Sequence, residues 1–175
     1  MKKQNPKVAI IMGSDSDLAI MQEAVKVCED FNVSYEVSIM SAHRTPDRLV
    51  SYAKGLETRG LKVLIAGAGG AAHLAGMTAA LTTIPIIGIP IKGKTLDGID
   101  SLLSIVQMPP GIPVATVGIN AAKNAGLLAL KILALNDEAL RTKLKNAMLK
   151  MGQEVNEKAK KLEKIGVENY LNEKK

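Results

Sequence analysis

Three short stretches carry the residues able to do chemistry. Gly13-Ser14-Asp15-Ser16-Asp17 offers hydroxyls and a carboxylate. Ser41-Ala42-His43-Arg44-Thr45-Pro46 offers a hydroxyl, an imidazole and a guanidinium. Gly67-Ala68-Gly69-Gly70-Ala71-Ala72-His73 offers bare backbone and a second imidazole. Ser14 and Arg44 suit a phosphate, the guanidinium by its forked geometry, and Ser41, His43 and Arg44 together can bind an anion. An imidazole titrates near neutrality, so His43 can give and recover a proton. Glycines at 69 and 70 let a ligand approach the main chain, and a helix start at His73 attracts anions. Asp17 is open to two roles, accepting hydrogen bonds from a ribose diol or capping a helix. Both histidines of the chain fall on these stretches, which favours a site over isolated turn-capping side chains.

Each stretch follows a strand pattern and precedes a helical one. Lys7–Met12 and Leu61–Ala66 are apolar runs of strand length, and Ser34–Ile39 alternates. Leu18, Met21, Val25 and Cys28 recur at helical spacing toward Phe31. Thr45 is placed as an N-cap with Pro46 at the first helical position, and a helix is expected to run to Arg59 before Gly60. A charge-free helix is expected over 71–82, a fourth strand over 85–90, and a short helix over 101–108 capped by Asp100. A fifth strand over 112–117 and a helix over 121–135 complete the pattern. Strands alternate with helices five times, and the apolar strands lack a polar alternate. That predicts an α/β fold, a three-layer α/β/α sandwich of flavodoxin-like type with a parallel five-stranded sheet. In such a sheet the strand-to-helix loops converge on one edge, where ligands bind.

Composition narrows the function classes. The 175 residues suffice for one cored domain. The formal charge of +6 is spread, with residues 1–136 carrying 13 basic and 10 acidic side chains and residues 137–175 carrying 10 and 7. Only Phe31, Tyr35, Tyr52 and Tyr170 are aromatic, so a stacking, focused nucleic-acid face is not expected. Val63 to Ile91 holds no Asp, Glu, Lys or Arg, yet five glycines and two prolines punctuate it. It reads as a buried βαβ unit and not a membrane span. The lone Cys28 and a basic start without a signal-like apolar run point to the cytoplasm. No Walker motif follows a strand, and the Gly67–Ala72 run only half matches a dinucleotide fingerprint. Two histidines without a cysteine or carboxylate cluster argue against a metal.

Two features suggest assembly. A small-residue helix over 71–82 with no polar face predicts a homo-oligomer built around it. Beyond residue 136, Leu140, Leu144, Met148, Met151, Val155, Ala159 and Leu162 step by 4, 4, 3, 4, 4 and 3. This is close to a heptad seam, weakened at Gly152. The organisation expected is a catalytic domain over 1–136 and a helical arm over 137–175. That arm either packs on a neighbouring subunit or folds on its own chain.

The three stretches, with Asp100-Ser101-Leu102-Leu103-Ser104-Ile105-Val106-Gln107-Met108-Pro109 as a fourth, stand in an order that closely resembles the class I 5-(carboxyamino)imidazole ribonucleotide mutase family of purine biosynthesis. The likeness runs from about Val8 to Leu135. It implies an isomerase that moves a carboxylate from an exocyclic amino nitrogen to carbon 4 of an aminoimidazole ribonucleotide. It implies no metal, ATP or biotin, and usually an octamer with sites near subunit contacts. By the same likeness His43 is catalytic. Ser14, Asp17 and Arg44 bind substrate, and Ser16, Ser41, Gly69, Gly70, Ala71 and His73 line the site. Ala75 stands where the family usually has proline, 117–124 looks short, and the tail past Met151 looks longer than usual. The nearest rival is the class II carboxylase that uses carbon dioxide directly, for which Ser-Ala-His-Lys-Thr would be expected in place of Ser41–Thr45. A non-catalytic flavodoxin-like nucleotide or flavin module would share the fold, but it has little use for a titrating His43.

Overall fold

The computed structural model describes residues 5–173. Met1–Gln4, the first part of the basic start, lies outside the described residues. The chain divides into two compact units, residues 1–133 and 134–175.

In the first unit five parallel strands form one sheet in the order β2-β1-β3-β4-β5. They are β1 (Val8–Met12), β2 (Tyr35–Ile39), β3 (Val63–Gly69), β4 (Ile86–Ile91) and β5 (Ala115–Thr116). The five helices of this unit are α1 (Leu18–Asp30), α2 (Pro46–Lys54), α3 (Leu74–Ala79), α4 (Ile99–Val106) and α5 (Ala122–Leu133). Two apolar clusters lie on the two faces of the sheet. Ala9, Ile11, Leu64 and Ala66 pack with Leu49 of α2, Leu74 of α3 and Ile105 of α4. Val8, Ile10, Ile65 and Ile87 pack with Met21 of α1 and Ala125 of α5. Alternate residues of one strand thus feed opposite layers, which is why the central strands carry no polar alternate. The three-layer flavodoxin-like fold expected from sequence is the fold observed.

Four boundaries depart from the sequence expectation, each for a local reason. Helix α2 stops at Lys54 and not at Arg59, because Gly55 is its C-cap; residues to Gly60 form turns closed by Gly60 at φ +85°. Helix α3 is half the expected length. Strand β3 runs on to Gly69, Gly70 turns at φ +65°, and only then can the chain wind into a helix. At its far end the Thr83 hydroxyl donates to Glu57 at 2.7 Å. Helix α4 begins at Ile99 after Gly98 at φ +91°, so Asp100 lies inside the helix and does not cap it. Strand β5 shrinks to two residues, since Pro113 has no N–H to place in a ladder. Thr45 holds the N-cap position of α2 but its hydroxyl makes no cap bond.

The second unit is dominated by α6 (Glu138–Asn172), capped by the Asp137 carboxylate, which accepts from the Leu140 N–H at 3.0 Å. The helix runs straight through Gly152, where weakness was expected. It breaks at Gly166 (φ 75°, ψ 166°), a conformation open essentially to glycine alone. Beyond the break Glu173 pairs with Lys161. Among the described residues no helix is long and apolar enough to cross a membrane.

Candidate active site

The C-terminal ends of β1, β2 and β3 supply the site. Sheet hydrogen bonds continue past the strands and hold the loop entrances together. The Gly13 N–H donates to the Gly67 carbonyl at 3.1 Å, and the Met40 N–H donates to the Met12 carbonyl at 2.8 Å. The site therefore sits between β1 and β3, where the strand order reverses, as expected for a doubly wound sheet.

The first loop closes on itself as a capping box. The Ser14 N–H donates to Asp17 Oδ2 at 3.1 Å, and the Ser16 N–H donates to Ser14 Oγ at 3.3 Å. The Ser16 hydroxyl lies 3.4 Å from Asp17 Oδ1. Asp17 is buried at 8% exposure, and burial raises its pKa above the usual carboxylate range, against these donors that lower it. It caps the turn and also lines the cavity.

The second loop is locked around Ser41. Its hydroxyl accepts from the Arg44 N–H at 3.1 Å and from Arg44 Nε at 3.3 Å. The Thr45 hydroxyl donates to the Ser41 carbonyl at 3.0 Å and accepts from the Ser41 N–H at 3.1 Å. This explains the missing helix cap: Thr45 serves the loop instead. Arg44 Nη2 reaches the Gly13 carbonyl at 3.4 Å, joining the second loop to the first. The third loop meets the second through its histidine. His43 Nε2 and His73 Nδ1 share a hydrogen bond of 2.8 Å.

Between the loops lies an open cavity of about 450 Å³, a size that admits a nucleotide-sized ligand. Ser14, Ser16, Asp17, Ser41, His43, Arg44, Gly69, Ala71 and His73 all line it. Gly70 does not; it points its N–H away, to Ser101 Oγ at 2.8 Å. Gly13, Ala42, Ala68 and Leu74 also line the cavity and were not singled out from sequence. Their only signal was adjacency to polar loop residues. Among the described residues no group of three or more His, Cys, Asp or Glu could hold a metal ion.

Taken together, a guanidinium among serine hydroxyls, a histidine pair and a glycine wall line one cavity at the switch point of a doubly wound α/β sheet. The sequence model of AIR carboxylase matches residues 7–154. The chain is 60% identical over 173 residues to the N5-carboxyaminoimidazole ribonucleotide mutase of Pyrococcus horikoshii, covering 99% of this chain and 98% of that one. It is 58% identical over 167 residues to the phosphoribosylaminoimidazole carboxylase of Schizosaccharomyces pombe, covering 95% of this chain but 30% of that longer protein. The crystal structure of Treponema denticola PurE aligns with a TM-score of 0.83 at 32% identity, over 90% of this chain and 98% of that one. The chain belongs to the AIR carboxylase family. Because the Pyrococcus alignment covers nearly all of both chains, the tail is shared with that relative and is not an extension peculiar to this chain.

Proposed function

We propose that this chain is a 5-(carboxyamino)imidazole ribonucleotide mutase, an isomerase that makes 4-carboxy-5-aminoimidazole ribonucleotide for purine synthesis. The observation that carries this reading is the His43–His73 pair lining one cavity with Ser14 and Arg44. Its support from relatives is the 60% identity to the Pyrococcus mutase over almost the whole length.

The residues suggest the division of labour. Ser14, Ser16, Ser41 and Arg44 bind the phosphate, and Asp17 accepts from the ribose hydroxyls. The aminoimidazole lies against Gly69, Ala71 and His73. The nitrogen–carbon bond of the N-carboxylate breaks, releasing carbon dioxide, while His43 gives its proton to the exocyclic nitrogen. Ring carbon 4 then attacks the trapped carbon dioxide, forming the carbon–carbon bond. His43 takes the proton that carbon 4 must lose, which restores the ring's aromaticity and the histidine's proton. The cycle is proton-neutral and redox-neutral, so this chemistry calls for no metal or cofactor. Gly70 backs the wall from behind without lining it.

A second reading, direct carboxylation of aminoimidazole ribonucleotide, draws on the carboxylase named in the fungal relative. One experiment separates them. The purified protein is given either freshly made 5-(carboxyamino)imidazole ribonucleotide without bicarbonate, or aminoimidazole ribonucleotide with modest bicarbonate. Ultraviolet absorbance of the carbon-carboxylated product is followed. Rapid turnover of the first alone is expected; efficient use of the second would make the protein a carboxylase.

We further read the chain as a cytoplasmic homo-oligomer, an octamer, with residues 1–136 catalytic and the arm over 137–175 lying on a neighbouring subunit. Supporting this, Ile99, Leu103 and Val106 share one exposed face of α4, and Met148, Met151 and Val155 are exposed on α6. Helix α3, the contact expected from sequence, already gives Leu74, Ala75 and Thr78 to its own core. A monomeric mass in solution, independent of concentration, would exclude assembly.

A further inference from the structure

The Asp100–Pro109 segment is as distinctive in sequence as the three loops, yet none of its side chains lines the cavity. Its contribution is visible in what holds the third loop. Ser101 is fully buried. Its hydroxyl donates to the Ile91 carbonyl at 2.7 Å and accepts from the Gly70 N–H at 2.8 Å. Three residues on, the Ser104 hydroxyl lies 2.7 Å from the Asp100 carbonyl and 3.3 Å from the Gly70 carbonyl. Residues three apart share a helix face, so α4 turns both hydroxyls toward one glycine.

Gly70 needs such a hold. The β3–β4 ladder ends at the Gly69–Ile91 pair, so no strand partner remains for it. Its φ of +65° is a conformation that glycine enters and leaves freely. The next three residues end in His73, whose ring meets His43. The two serines are not equivalent. Ser101 uses its single hydrogen on Ile91 and a lone pair on Gly70, so the two bonds do not compete. Ser104 has one hydrogen for two carbonyls, and the shorter bond is to its own helix.

We propose that Ser101 is a positioning residue for the active site: through the Gly70 N–H it clamps the third loop to the end of β4 and so holds His73 against His43. This rests on reading the cavity as the active site. Ser101 itself touches no substrate. The phosphate contacts of Ser14, Ser41 and Arg44 lie on other loops and are kept when the clamp is lost; only the aminoimidazole's contacts with the third loop loosen, so the cost falls mainly on turnover.

The test compares Ser101→Ala and Ser104→Ala with the wild-type protein in the mutase assay, alongside nuclear magnetic resonance of isotope-labelled histidine. The chain has two histidines, so its ring signals report the His43–His73 pair directly. For Ser101→Ala we expect kcat to fall several-fold, up to the roughly tenfold expected on losing His73 itself, with KM within about twofold, since a buried donor and acceptor are both left unpaired. Both ring signals should move from their wild-type positions. Ser104→Ala should keep kcat within about threefold and leave the rings unmoved. Unmoved ring signals in folded Ser101→Ala overturn the proposal, whatever happens to kcat. If Ser101→Ala does not fold, amide exchange at Gly70 of the wild type decides: strong protection supports the clamp, and free exchange overturns it. Absence of mutase turnover in the wild type would sink the functional reading alone, because the ring signals and Gly70 exchange would still judge the clamp.

Discussion

His43 and His73 meet edge to face, with ring centroids 4.9 Å apart, planes inclined by 77° and a 2.8 Å hydrogen bond between Nε2 of one and Nδ1 of the other. Thirty positions separate them in sequence. A hydrogen bond between two imidazoles needs one nitrogen protonated and the other free, so each ring sets the tautomer of the other. His43→Asn should retain ligand binding and lose turnover by roughly a hundredfold to ten-thousandfold, the range for a lost general acid–base. His73→Asn should lose less, about tenfold, because it removes the orienting partner and not the proton carrier. The double variant should be no worse than His43→Asn, since groups acting as a unit are not additive. Kinetics on all three, with product binding by calorimetry, checks this. Near wild-type turnover in His43→Asn would exclude it as the proton carrier.

The pairing also marks what the sequence could and could not disclose. That both histidines sit on strand-to-helix loops is legible from apolar runs and Pro46, since periodicity places loops well. That they touch is not legible, because it depends on β1 lying between β2 and β3, which strand patterns do not reveal. The central strands β1, β3 and β4 read well because both their faces are buried and their runs are continuous. Helix ends read less well. Gly55, Gly70 and Gly98 decide where α2, α3 and α4 stop or start, and helical spacing does not show which glycine acts. Thr45 shows the same limit from another side. Its residue type is right for a cap, but its hydroxyl bonds to Ser41 across the loop. Ser101 stands inside the Asp100–Pro109 motif without a legible role, because a buried hydroxyl's partners are visible only in three dimensions.

The face of the sheet opposite α2, α3 and α4 depends on a close helix contact. Gly126 of α5 lies against α1, and a methyl carbon built there would fall 2.9 Å from Val27 Cβ and 3.3 Å from Ala24 Cα. Both neighbours are on or next to the backbone, so they cannot swing aside. Helix propensity alone would make Gly126→Ala stabilising by up to about 1 kcal/mol. Overpacking should win, with a net loss of about 1–3 kcal/mol and a lower Tm. Gly152 offers the contrast, since nothing lies within 4 Å of a methyl carbon placed there. Gly152→Ala should stabilise α6 by about 0.5–1 kcal/mol. Urea unfolding of the two variants tests the pair of signs, and an unchanged or raised stability in Gly126→Ala would show that α1 and α5 can separate at little cost.

Cys28 lies on the same layer, fully buried on α1. Burial, helped by the charge of Glu29, pushes its thiol up to about 11 from an ordinary 9.0. The folded chain therefore keeps a proton that the unfolded chain releases once the pH passes about 9. The associated stability is whole below that pH and is lost as the pH rises through about 11. With some allowance for solvent, the loss should total about 2 kcal/mol. Tyr52, whose pKa is raised by burial and by its hydrogen bond to Glu36, acts in the same direction at higher pH. Cys28→Ala isolates the thiol's share. Its unfolding free energy should fall less steeply between about pH 9 and 11 than that of the wild type, although it is lower at neutral pH through the lost sulfur packing. An alkylating reagent at neutral pH should label the wild-type thiol only at the rate of unfolding, since neither thiolate nor access exists in the folded state. Parallel slopes for the two proteins, or fast labelling of the native chain, would mean that α1 opens far more readily than its packing on α5 implies.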